Sequence, residues 1–328
     1  MNTKREELPS GVASQPGIVE FEWIGAPGAD PSHPDLFFEV PHGATRTLDY
    51  ERTRAQLAPS LPQDLSDFFY VNTDVGSTEY GRAVAQEIAT PSTAVRALLD
   101  DATRAWLETT APRGVLLARA LIPRTFIDVN RVVEPAAERD GMTAAIAEYV
   151  REPRDVETLL ALHAEYHAEV GRAYELVCGA GRLAFMPHTY APKSVSIDSF
   201  DEGIGAALRK AYEPALYATW AVRPEIDVIS EAPDGTMLAP AALVAALREQ
   251  LGRAEFEMKE NASYRLHPIT MGHRYSATYP GQVLCVEVRR DLLADPFSPF
   301  EEMKVGDHKV ARVARPIAAA FLRVLAAR

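Results

Sequence analysis

Two histidines in this chain each follow a proline at the end of an apolar run, in Val40-Pro41-His42-Gly43 and in Phe185-Met186-Pro187-His188-Thr189. Proline halts a strand, and glycine lets the backbone turn tightly toward a ligand. Neutral imidazole is a favoured zinc ligand, and a catalytic zinc site typically takes three protein ligands and leaves a position for water. A carboxylate would complete such a set. Asp74 and Glu79 flank the start of a helical stretch, where acidic residues also serve to cap free N–H groups and complement the helix dipole. Two histidines this far apart do not by pattern alone share a metal.

Glu287 stands inside the apolar stretch Val283-Leu284-Cys285-Val286-Glu287-Val288. An ionised carboxylate there costs several kcal/mol unless a cation meets it. Arg289, on the same strand face, offers a plain salt bridge; proton transfer in a site is the other use. The segment Ile122 to Arg131 gathers Arg124, Asp128, Asn130 and Arg131 around one predicted strand. Arginine binds carboxylates through a two-pronged fork, and Asp128 would orient one guanidinium. A structural ion-pair network accounts for the same residues equally well. His163 and His167 have the i, i+4 spacing of chelating pairs, but Ala164 follows His163, so the H-E-x-x-H pattern is absent and a structural role is expected.

The elements that must position these groups read as alternating strands and helices. Apolar runs predict strands at Leu36–Val40, Gly114–Ala118, Thr125–Val129, Arg182–Met186 and Gln282–Val288, the fourth stopped by Pro187. Helical spacing appears at Asp74–Ala89, Ala94–Leu107, Leu159–Val177 and Ala239–Leu251. The pattern predicts an α/β fold with a mixed, mostly parallel sheet and helices on both faces. Residues 1–34, broken by Gly25-Ala26-Pro27-Gly28 and Pro31-Ser32-His33-Pro34, read as a loose arm before one domain at 35–328. In such sheets ligands bind beyond the carboxyl ends of strands, and three of these ends carry His42, Asn130-Arg131 and His188. The formal charge of -12 makes nucleic acid and anionic membrane surfaces poor partners. Two cysteines in apolar company, a polar N-terminus and no long apolar run point to a cytoplasmic protein.

In order, these landmarks resemble the N-formylglutamate amidohydrolases. They are Pro41-His42-Gly43, Asp74 through Glu79-Tyr80, Pro123-Arg124 through Asp128-Val129-Asn130-Arg131, Tyr166-His167, His188-Thr189-Tyr190-Ala191-Pro192, and Glu287-Val288-Arg289-Arg290. The Pro-Arg through Asn-Arg element is the most specific of them. The resemblance implies a zinc-carboxypeptidase-like fold with one zinc or other divalent ion held by His42, His188 and Asp74, with Glu79 as the alternative to Asp74. It implies Glu287 as the proton-transfer residue, with Arg131 beside it in catalysis. Arg124, Asn130, Arg290 and His273 would bind a small substrate bearing a carboxylate. Departures cluster around the pocket: Gly43-Ala44 in place of Ser-Gly, Met186-Pro187 in place of Asp-Cys, His267 through Tyr275 in place of a glycine-rich segment, and Arg289 in place of Asn. The resemblance therefore carries reaction class, hydrolysis of an amide C–N bond in an N-acyl or N-formyl amino acid, further than it carries the substrate. Two alternatives are a metal-free small-molecule binding or regulatory protein on the same fold, and the same metal chemistry acting on an intermediate of a biosynthetic pathway.

Overall fold

In a computed structural model of the chain, residues 8–133, 144–197 and 200–328 are described. Among them β1 (Val19–Gly25), β2 (Leu36–Val40), β3 (Gly114–Ala120), β4 (Leu183–Tyr190), β5 (Ile226–Ile229), β6 (Met258–Glu260) and β7 (Val283–Arg289) form one sheet. Its order is β1-β3-β2-β4-β7-β5-β6. The central strands β3, β2, β4 and β7 are parallel to one another, while β1 and β5 run antiparallel to their neighbours β3 and β7. Helices α1 (Thr47–Arg54), α2 (Leu65–Asn72), α3 (Ser77–Ala89), α4 (Thr93–Leu98) and α5 (Asp101–Thr109) join β2 to β3, and α6 (Pro153–Cys178) joins β3 to β4. Next come α7 (Ile204–Ala211) and α8 (Pro214–Thr219) before β5, α9 (Ala241–Arg253) before β6, α10 (Met271–Thr278) before β7, and α11 (Asp307–Ala326) at the end.

The central strands β3, β2 and β4 are buried on both faces, as a parallel sheet covered by helices requires. Leu36, Phe38, Phe185 and Val286 pack on one face with Val84 of α3, Leu247 of α9 and Phe321 of α11. Phe37, Ala184, Met186 and Cys285 pack on the other with Val170 of α6, Phe68 of α2 and Met271 of α10. Because side chains alternate along a strand, the second face also receives His188 of β4 and Glu287 of β7, which are register partners. Glu39 of β2 points the same way. It is fully buried and accepts hydrogen bonds from Tyr166 and Tyr174 of α6, at 2.8 Å and 2.7 Å.

Four expectations are corrected. The loose arm does not reach residue 34, because Val19–Gly25 is an edge strand whose Val19, Phe21 and Trp23 are buried against the sheet. The third helix starts at Ser77 rather than Asp74, since Gly76, at φ +86°, breaks the helical path and leaves Asp74 in a loop. Thr125–Val129 is a chain of turns and not a strand: Phe126 N–H donates to Pro123, and the Asp128 side chain takes the N–H of Asn130 that a ladder would need. Finally, β4 continues through Pro187 to Tyr190. Its pairing with β2 ends at Phe185, so Pro187 lies where β4 has a neighbour on one side only and a missing N–H is tolerated. Among the described residues no helix is long and apolar enough to cross a membrane.

Candidate metal centre and its pocket

At the carboxyl end of β2 the chain turns through Pro41-His42-Gly43, with Gly43 N–H bonded back to Val40 at 3.2 Å. Arg119 of β3 reaches across and donates its Nε–H to the Gly43 carbonyl at 2.8 Å, while its other nitrogens meet Asp49 of α1 and Glu20 of β1. A Cβ on residue 43 would come within 2.7 Å of Arg119 Cγ, so glycine is needed there for the close approach. From the other side Thr73 donates its hydroxyl to the Ala44 carbonyl at 3.0 Å. That bond ties the His42 turn to the loop carrying Asp74. His188 is held by the β4–β7 ladder, and Tyr80 of α3 donates to the carbonyls of His188 and Val286.

These supports bring His42, Asp74 and His188 together, and all three are buried. Oδ2 of Asp74 lies 3.1 Å from Nδ1 of His42 and 3.1 Å from Nδ1 of His188. One ligand atom from each residue falls within 4.8 Å of the others. Nε2 of His42 is 2.8 Å from Asp128 Oδ1. When Nε2 carries the proton toward Asp128, Nδ1 turns a bare lone pair toward the carboxylate of Asp74. With His188 likewise bare at Nδ1, two imidazole nitrogens and a carboxylate oxygen converge on one point, an arrangement that a cation stabilises. A neutral His held by a carboxylate on its far nitrogen is how metal-binding imidazoles are commonly oriented. The donor set thus fits a single divalent ion of the zinc type.

The electrostatics of the cluster follow from burial and pairing. Burial alone would raise the Asp74 carboxyl, but His42 and His188 hold it well below the usual carboxylate range. Asp128 also works against burial, and Arg124 and His42 keep it well below that range. Burial and Arg124 both lower His42, yet Asp128 and Asp74 outweigh them and leave it raised. Glu287 is pushed up to about 7 by burial, with His188 opposing and Asp74 adding to the rise.

A cavity of about 730 Å³ opens over this cluster, lined by His42, His188, Glu287, Arg124, Asn130, Arg131 and Arg290 among others. Oε2 of Glu287 is buried and has no hydrogen-bond partner. Arg289, the expected salt-bridge partner, turns instead to Asp291 at 2.8 Å and to the Arg223 carbonyl. Arg124 is committed to the cluster itself, with bonds to Asp128 at 3.1 Å and Asp74 at 3.5 Å. Arg290 is likewise anchored, on the carbonyls of Val71 and Thr189. Arg131 stays freer: its Nε is 3.9 Å from Asp128 and makes no hydrogen bond. Asn130 borders the cavity, but its Oδ1 accepts the Gly272 N–H at the start of α10.

Two residues expected in the site lie elsewhere. Glu79, on α3, lines a separate pocket with Arg82 and Glu87 and does not join His42 and His188; the break at Gly76 separates it from Asp74. His273 does not line the cavity, although Thr270 and Gly272 just before it do. Sequence reasoning missed Arg223, which lines the cavity with its guanidinium between the rings of Tyr190 (5.1 Å) and Tyr264 (5.5 Å). It comes from a loop with no periodic or motif signal. Sequence reasoning also gave Asp128 only a guanidinium to orient, whereas it holds His42 as well.

In comparisons with known proteins, no family model and no curated protein matches the chain. Among solved structures it is similar to the N-formylglutamate amidohydrolase of Ralstonia eutropha JMP134, at 16% identity and a TM-score of 0.52, over 93% of this chain and 96% of that one. The gene product Atu2144 of Agrobacterium tumefaciens aligns at 15% identity and a TM-score of 0.49, over 94% and 96% of the two chains. The first likeness shows a shared fold, that of the enzyme whose family the sequence motifs resemble.

Proposed function

We propose that this protein is a metal-dependent hydrolase of the C–N amide bond in a small N-acyl or N-formyl amino acid or a related amide. The reading is carried by the convergence of His42 Nδ1, His188 Nδ1 and Asp74 Oδ2 beside a half-buried Glu287 whose Oε2 has no hydrogen-bond partner. A divalent ion held by His42, Asp74 and His188 would supply a Lewis acid that acidifies water and polarises a carbonyl. Glu287, the register partner of His188 on the same sheet face, takes the proton from attacking water and returns it to the leaving nitrogen. Arg131 presents its guanidinium to the substrate carboxylate, with Arg223 also lining the cavity. Asp128 fixes the ring of His42 and keeps Arg124 beside it.

The test is metal analysis of the purified protein, together with release of free amine from a panel of N-formyl and N-acyl amino acids. Expected are about one zinc or other divalent ion per chain, turnover abolished by a chelator, and loss of both metal and turnover in the His42→Ala/His188→Ala variant. Metal kept at the native level in that variant, or no turnover of any panel member by metal-loaded protein, overturns the proposal.

A further inference from the structure

The cavity is far roomier than the reacting groups require. A formyl group adds a single carbon to the amide, while the space over the cluster is about 730 Å³, well within the range that holds a drug-sized ligand. One wall is built by α2 and the end of α7. It presents Phe68 and Val71, three residues apart on one face of α2, and Leu208 and Tyr212, four residues apart across from them. Among the described residues of this wall, polar groups come from Asn72 and the Tyr212 hydroxyl. The wall adjoins the reacting centre: Arg290 donates to the Val71 carbonyl with one nitrogen, while another lies 3.6 Å from Asp74. Phe68 and Leu208 are buried in this wall, while Val71 and Tyr212 are only half-buried, so an apolar group of the ligand would cover apolar surface that the fold leaves open to the cavity.

We infer that this wall receives the acyl portion of the substrate, and that the preferred substrates are N-acyl amino acids with a long or bulky apolar acyl group. The inference rests on the hydrolase reading for the reaction, but not for the binding. The carboxylate end remains with the guanidinium groups, and the chain extends along Phe68, Val71, Leu208 and Tyr212. Each methylene that fully leaves water against such a wall tightens binding by about fourfold.

The experiment compares the affinities of the metal-loaded protein for N-octanoylglycine and N-acetylglycine by calorimetry, then their turnover. Octanoyl should bind at least about 50-fold more tightly, six methylenes being only partly buried. Val71→Phe and Leu208→Phe, each checked by circular dichroism, should shrink that ratio several-fold by filling the space beside the wall. A native ratio below about threefold, or no measurable binding of either compound, overturns the inference, as does a ratio unchanged in both folded variants. Tight octanoyl binding without turnover of any N-acyl compound sustains the acyl site and sinks the hydrolase reading. Turnover of formyl or acetyl compounds without an octanoyl preference does the reverse.

Discussion

Glu287 is the residue whose surroundings are hardest to explain without chemistry. Its strand neighbours Val286 and Val288 are fully buried, its Oε2 has no partner, and Arg289 is committed elsewhere. A carboxylate kept in such a place at a cost of several kcal/mol has a use. Glu287→Gln preserves shape and removes the proton acceptor. We expect kcat to fall by about two to four powers of ten with metal content and melting temperature held; a destabilised but fully active variant would assign Glu287 to the scaffold. Arg131 gives the second prediction at this scale. Arg131→Lys replaces a fork by a point charge, so KM for carboxylate-bearing substrates should rise about tenfold or more with kcat nearly unchanged. An unchanged KM would leave Arg131 as a partner of Asp128 and nothing else.

At the scale of elements, α6 is the beam that fixes the irregular segment from Pro123 to Arg131. His163 bonds through Nε2 to the Arg131 carbonyl at 2.9 Å, and His167 to the Val129 carbonyl at 2.8 Å. The i, i+4 spacing that suggests chelation thus serves to satisfy two loop carbonyls, which accept only if both rings keep Nε2–H. Burial lowers both histidines, His167 to about 3, with the neighbouring His163 adding to the effect. The folded form of His167 therefore resists protonation at pH values where the unfolded chain, near 6.5, takes the proton. The stabilisation is complete above pH 6.5 and is lost progressively as pH falls from 6.5 toward 3. His167→Gln keeps an N–H for Val129 and removes the titration. Denaturant unfolding between pH 6.5 and 4.5 should then show a slope shallower by up to about 1.4 kcal/mol per pH unit. Identical slopes in the two proteins would show that His167 already titrates freely in the fold.

For the molecule as a whole, legibility in the sequence followed the range of the interactions. The strands β2, β3, β4 and β7 announce themselves because both faces are apolar, and their shared direction brings the ends bearing His42, His188 and Glu287 to one edge. Asp74, Asp128 and Arg223 act from loops, where hydrogen bonds to distant groups and not periodicity decide the path, so the family resemblance alone places Asp74 beside the histidines, and neither the hold of Asp128 on His42 nor Arg223 is legible. The outcome is a chain of net charge -12 whose cavity is nevertheless lined by Arg124, Arg131, Arg223 and Arg290, a local field that favours a carboxylate against the average of the surface. The loops of Asp74 and Asp128 meet at the proposed metal ligands, so the ion's binding energy also counts as folding energy. An ion that binds the native state and not the unfolded one stabilises by about 4 kcal/mol at a thousandfold excess over Kd. For a chain of this size that corresponds to roughly 5–10 °C in melting temperature. Stripping the metal with a chelator should lower Tm by that amount, and added zinc should restore it. In His42→Ala/His188→Ala the imidazoles that bridge β2, β4 and the Asp74 loop are gone, so the chelator should leave Tm unmoved. A full shift in that variant would place the stabilising ion elsewhere in the molecule, and no shift in the native protein would remove the metal from the account of its stability.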